Sequence, residues 1–147
     1  LLFEIVQPTR AYFGEKDFQQ VQIVKKMVEK NHLPVIIVVC PILRETNNLA
    51  ISYRNERLTL QQRTEAGIIY KILAEAKKKF INNSAQETAQ WVQNEFNKNK
   101  ALTLEYFEIA DEDTLSTCIR KNKNKKYRAF IAVFINNERL IDTISLN

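Results

Sequence analysis

Pro34 to Pro41 reads PVIIVVCP, and no other stretch narrows the possible folds as much. Val35 to Val39 is β-branched throughout and a proline closes each end. Such a run lacks the alternation of a half-solvated strand, so it predicts a strand buried on both faces and parallel to its neighbours. Cys40 then serves as a small buried hydrophobe. Upstream, Arg10 to Phe13 predicts a brief strand ending at Gly14. Asp17 and Gln20 have the spacing of a capping box. Val21, Val24 and Val28, widened by Ile23 and Met27, supply one helical face. Asn31 and His32 suit the helix exit. Strand, helix and strand make one βαβ unit. Two strands do not form a stable open parallel sheet, so further strands are expected from a segment or partner outside these 147 residues. The opening LLFEIVQPTR reads as if entered partway through an element, either a last helical turn or a short strand.

Beyond Glu45 the pattern changes. Thr59 and Gln62 predict a second capping box and a helix over about Leu60 to Phe80. Ile69, Ile72, Leu73, Ala76 and Phe80 line its inner face. Gly67 costs that helix about 1 kcal/mol of propensity, which points to a close helix contact. INNS reads as a turn, and Ser84 with Glu87 repeats the capping pattern. Ala85, Ala89, Val92 and Phe96 line a third helix, where Trp91 packs. Strands follow at Ala101 to Ala110 and Tyr127 to Ile135, then a hairpin turn INNE and a last strand RLIDTISL. The fold class is α/β: the last βαβ portion of a Rossmann-type domain over 1–44, then a small α+β domain with helices and a mostly antiparallel sheet over 45–147.

Charge and composition remove several function classes. Lys and Arg number 22 against 17 acidic residues, a net +5. Nucleic-acid binding needs a concentrated basic face. The one dense cluster, Arg120 to Arg128 (RKNKNKKYR), has the Lys-Asn alternation of a solvated loop, so no nucleic-acid partner is expected. Cys40 and Cys118 stand too far apart for a disulfide framework or a metal signature. His32, the single histidine, lies in a helix-exit turn, which leaves no Ser-His or Cys-His nucleophile. Asp111, Glu112 and Asp113 start a turn or cap a short helix, and no protein metal site is expected. The longest apolar run, Leu33 to Leu43, is too short to span a bilayer and holds two prolines. No signal peptide is apparent, and the expectation is a soluble cytoplasmic chain without a membrane partner.

Two stretches carry polar groups suited to an anion. In FGEKDFQQ, Gly14 ends a parallel-type strand, and ligands of open α/β sheets sit beyond such ends. The helix amino end faces the same place, Lys16 adds a charge, and Asp17 and Gln20 offer polar contacts. The same residues read equally as a turn, a cap and a solvent-exposed lysine. In ETNNLAISYRNERLT, Asn47 and Asn48 can turn the backbone. If LAI is extended, Ser52 and Arg54 point to one side, a clamp for a di- or triphosphate. The alternative is a surface loop whose arginine pairs with Glu45 or Glu56.

IVQPTRAYFGEKDFQQVQIVKKMV and LAISYRNERLT closely resemble the pantoate–β-alanine ligase family, as do EYFEIADEDTL and ERLIDT. The likeness runs in order along essentially the whole chain, and it corresponds to the second half of members about twice this length. It implies the C-terminal half of a cytoplasmic, homodimeric, ATP- and Mg2+-dependent enzyme. Such enzymes adenylate pantoate, release pyrophosphate, and pass the pantoyl group to β-alanine with release of AMP. The resemblance places Gly14 and Asp17 near the ATP ribose and Lys16 at the phosphates. Leu43 matches a position whose backbone meets adenine. Ser52 and Arg54 match a phosphate clamp, and Gln20 matches a pantoate-binding glutamine. Glu15, Ile51 and Tyr53 belong to the same nucleotide-contacting stretches. Lys16, Ser52 and Arg54 are the implied catalytic set. Tyr53 replaces a usual serine and Asn48 a usual glycine. The half carrying the family's His-x-Gly-His signature is outside this sequence, so the piece alone is expected to be inactive. The rival reading is a non-catalytic dimerisation or interaction domain retaining the family fold.

Overall fold

Arg10–Gly14 (β1) and Ile36–Cys40 (β2) pair in parallel, in register from Arg10 opposite Ile36 to Gly14 opposite Cys40. The crossover between them is a 3₁₀ turn, Glu15–Asp17, and a helix, Phe18–Lys30. The computed structural model describes residues 2–147. The opening segment is helical, Leu2–Val6 (α1), so Phe18–Lys30 is α2. Phe18 and Val21 are the buried residues of α2. Ile23 and Met27 are exposed, so the apolar stripe is narrower than its composition predicts. Asn31 closes the helix and His32 takes a left-handed φ of 49°.

One expectation fails here. β2 is half-buried rather than buried on both faces, with Ile36 exposed, and Cys40 is likewise half-buried. A sheet of two strands backed by one helix leaves apolar surface uncovered, whatever its sequence.

Leu1–Ile42 forms one compact unit and Leu43–Asn147 the other. The second holds three helices, Leu60–Ala66 (α3), Ile68–Asn82 (α4) and Ala85–Asn97 (α5). Three strands follow, Leu102–Asp111 (β3), Tyr127–Ile135 (β4) and Glu138–Ser145 (β5), in an antiparallel sheet of order β3-β4-β5. Ala129, Ile131, Val133 and Ile135 of the central strand enter one cluster with Ile69, Ile72, Leu73, Ala76 and Phe80 of α4 and Val92 and Phe96 of α5. Each fully buried side chain of this size stabilises by about 1.5–3 kcal/mol, which makes this unit's core the larger reserve. Asn136 turns the β4–β5 hairpin with φ 51°. The chain is thus a partial Rossmann-like α/β unit followed by a small α+β unit.

Two of the three expected capping boxes form. Thr59 accepts from the Gln62 amide and Ser84 from the Glu87 amide, each answered in reverse. The Ser84 amide and then its hydroxyl hold the Glu87 carboxyl below its ordinary range. Asp17 makes no such bond. Thr59 and Ser84 are extended, with ψ of 161° and 166°. Asp17, wound into the preceding 3₁₀ turn, has φ −94° and ψ 50°, and its side chain cannot reach back over the first amides.

The helix expected over Leu60 to Phe80 breaks at Gly67. The Gly67 amide bonds Thr64 O at 3.2 Å. The Arg63 carbonyl instead accepts from Asn47 Nδ2 at 2.7 Å. A Cβ at Gly67 would stand 2.7 Å from the Asn47 backbone oxygen. The close contact predicted there is therefore real, but it is with a loop rather than a helix.

The acidic run starts a turn and no helix. Asp111 Oδ1 accepts from the amides of Asp113 and Thr114 at 3.0 and 2.9 Å and from the Thr114 hydroxyl at 3.0 Å. Lys125 pairs with Oδ2 at 3.0 Å. The Thr114 amide first, then the Lys125 ammonium, hold this carboxyl down to about 2 from its ordinary 3.8. The folded carboxyl takes up its proton less readily than the unfolded one, so its stabilisation is complete above the unfolded pKa and is lost as pH falls through the folded one. Urea titrations from neutral pH to about 2 should therefore show a loss of stability below about pH 4 that Asp111→Asn reduces. A parallel loss in the variant would assign the acid sensitivity elsewhere.

Candidate active site

In the first unit, one polar stretch lies at the end of the parallel strand pair. β1 ends at exposed Gly14, and half-buried Glu15 and Lys16 with exposed Asp17 make the 3₁₀ turn into α2. Gly14 has φ −72° and ψ 133°, a backbone geometry that any residue adopts. A Cβ there would meet nothing within 4 Å. The chain itself therefore does not require glycine at this position. Gln20 is exposed one turn into α2, and with no side-chain cap at Asp17 it completes no box.

In the second unit, the other polar stretch lies on a tight hairpin. Ile51 N donates to Leu43 O at 2.9 Å, and Glu45 N donates to Leu49 O at 2.9 Å. Arg44 bridges Ala50 in antiparallel fashion. Asn48 turns the hairpin with φ 70°, the left-handed geometry an asparagine tolerates in place of glycine. The hairpin brings Leu43 beside Ile51 and thus next to Ser52. Both Leu43 and Ile51 are exposed.

Ser52 and Arg54 are not on one extended piece, which corrects the geometry expected of them. Ser52 is extended, but Tyr53–Arg57 is a 3₁₀ turn, so alternation ends at Ser52. The Ser52 hydroxyl donates to Asn55 Oδ1 at 3.0 Å. Among the described residues Arg54 pairs with neither Glu45 nor Glu56. Its guanidinium lies 5.2 Å from the centre of the exposed Tyr53 ring, and Arg57 lies 5.4 Å from the same ring. Glu45 is otherwise engaged, accepting from Asn55 Nδ2 at 2.8 Å and standing 3.6 Å from Arg63.

Sequence reasoning missed the residues beneath this loop. Asn55 is 2% exposed, and its Nδ2 also donates to Ala50 O at 3.2 Å. Arg44 makes a two-pronged pair with Asp142 at 2.6 and 2.9 Å. An acidic Asp142 in the middle of the strand-forming run RLIDTISL was the available signal.

Among the described residues no three His, Cys, Asp or Glu side chains group to hold a metal. No helix among them is long and apolar enough to cross a membrane.

A family model for pantoate-beta-alanine ligase matches residues 1–145. A pantothenate synthetase of Flavobacterium psychrophilum is 64% identical over 145 residues, 99% of this chain and 51% of that protein. One of Christiangramia forsetii is 56% identical over 146 residues, 99% and 52% of the two chains. The crystal structure of a Thermus thermophilus pantothenate synthetase superposes with TM-score 0.88 at 32% identity, over 99% of this chain and 52% of that one. A Francisella tularensis pantoate-beta-alanine ligase complexed with beta-gamma ATP and beta-alanine superposes with TM-score 0.69 at 29% identity, over 99% and 46%. The chain spans about half the length of these relatives, and, with the match running through both units, it belongs to the pantoate-beta-alanine ligase family.

Proposed function

We propose that residues 1–147 are the C-terminal half of an ATP-dependent ligase that condenses pantoate with β-alanine through a pantoyl adenylate. The observation that carries this reading is the uncapped start of α2 at the carboxyl end of β1. There Gly14 faces open space that the fold does not use, in a chain that belongs to this ligase family. The relative complexed with an ATP analogue and β-alanine supports nucleotide and amine as ligands.

Each residue then has a role its chemistry suits. The absence of a Cβ at Gly14 lets a ribose approach the strand end, with Asp17 as hydroxyl acceptor. Leu43 meets adenine through its backbone. Lys16, Ser52 and Arg54 hold phosphate oxygens, and Glu15, Ile51 and Tyr53 flank them. Gln20 recognises pantoate. The pantoate carboxylate oxygen bonds to the α-phosphorus as its bond to pyrophosphate breaks. The β-alanine nitrogen then bonds to the acyl carbon, AMP leaves, and the amine gives up a proton. No protein nucleophile is needed. The work is alignment and stabilisation of charge on phosphate oxygens. Magnesium would arrive with the nucleotide and neutralise its phosphates. The whole enzyme is taken to be a cytoplasmic homodimer.

The complete protein carrying these residues should form AMP from ATP and pantoate only when β-alanine is added, and residues 1–147 alone should not. No AMP under any of these conditions would favour a non-catalytic interaction domain, whereas AMP formation that ignores β-alanine would point to an adenylate passed to water and refute β-alanine as the acceptor. Turnover by the isolated piece near that of the whole would refute the division into halves.

A further inference from the structure

Taking Ser52 and Arg54 as the phosphate clamp, the residues that give their loop its shape remain without a role. Arg44 is the centre of that set. Its Nη1 and Nη2 donate to Asp142 Oδ2 and Oδ1 at 2.6 and 2.9 Å. Nη1 also donates to the Asn48 carbonyl at 3.1 Å. The guanidinium lies 4.0 Å from the centre of the Tyr70 ring. Asp142 is 5% exposed and stands on β5 opposite Ile131, a residue of the core cluster. The arginine thus spans from a rigid sheet and a helix to the one left-handed residue of the hairpin.

A planar fork against a carboxylate defines direction as well as distance. Asn55 acts at the other end. It ties Ala50 O and Glu45 to the Ser52 hydroxyl. Asn48 and Ser52 are therefore both referenced to buried groups, and Arg54 follows two residues later.

We propose that Arg44, locked to Asp142, is a positioning residue for adenylation: it sets the Asn48–Arg54 loop in the shape that presents Ser52 and Arg54 to phosphate. It touches no substrate and acts through the loop.

The test uses the complete protein and pantoate-dependent exchange of labelled pyrophosphate into ATP, well below the melting temperature of every variant. Arg44→Lys keeps the charge and loses the fork. It should lower the exchange kcat about 10- to 100-fold, the cost of a misplacement near 1 Å, while the KM for pantoate stays within about twofold. In an Arg54→Ala background the same change should cost clearly less, about threefold or under, because only Ser52 is left to position. Asp142→Asn, which preserves shape, should repeat the pattern and serves if Arg44→Lys does not fold. An Arg44→Lys rate within about twofold of the parent, or an equal loss with and without Arg54, would overturn the proposal. If Arg54→Ala itself exchanges at the parental rate, the clamp reading fails and this proposal with it. If Arg54→Ala is impaired and Arg44→Lys is not, only this proposal fails.

Discussion

Arg54→Ala in the complete protein should cut pantoate-dependent pyrophosphate exchange by about 100- to 1000-fold, the range expected when one preorganised charge-stabilising group is removed. Lys16→Ala should do the same. Both groups would stabilise phosphate charge that shifts as pyrophosphate leaves, so the loss belongs in kcat, and pantoate affinity should move little. Neither substitution should melt the protein. Arg54 rests over an exposed tyrosine ring, a contact worth about 0.5–1 kcal/mol at such a site. Lys16 lies in a 3₁₀ turn with no buried residue. Exchange rates and melting temperatures for each variant at saturating pantoate check both halves of the claim. Rates within about twofold of the parent would remove the residue from the site.

Gln20→Ala should weaken pantoate binding about 5- to 150-fold, because a closed site would be left with an unpaired polar group worth about 1–3 kcal/mol. ATP affinity should hold. A capping glutamine would behave differently, costing helix stability of about 1 kcal/mol or less and no affinity. The structure already weakens that alternative, since no side-chain cap forms at Asp17. Calorimetry with pantoate and with ATP, alongside thermal unfolding of parent and variant, separates the two. Parental pantoate affinity with a lowered melting temperature would assign Gln20 to the helix after all.

Local chemistry was legible wherever a residue's role depends on near neighbours. The Thr59–Gln62 and Ser84–Glu87 boxes, the Asn136 turn and the three strands of the second unit all rest on short-range pattern. The left-handed Asn48 follows from the same logic. Legibility failed first where one backbone angle decided the outcome. Asp17 has the right type and spacing for a cap, but the preceding 3₁₀ turn sets its ψ at 50°, which no spacing rule encodes. Ser52 and Arg54 failed as an alternating pair for a similar reason, because the chain winds into a turn at Tyr53.

The sequence by itself determined most of the element types, the βαβ order and the position of both polar stretches, because periodicity and capping act over a few residues. Tertiary structure decided what those stretches rest on. Position 67 requires glycine because the Asn47 backbone passes where a Cβ would sit, and Asn55 is buried because Glu45, Ala50 and Ser52 close around its amide. Arg44 and Asp142 stand 98 residues apart. Their pairing depends on the packing of α4 against β5, which brings Tyr70 and Asp142 to the same end of the core, and no local pattern in either segment specifies it.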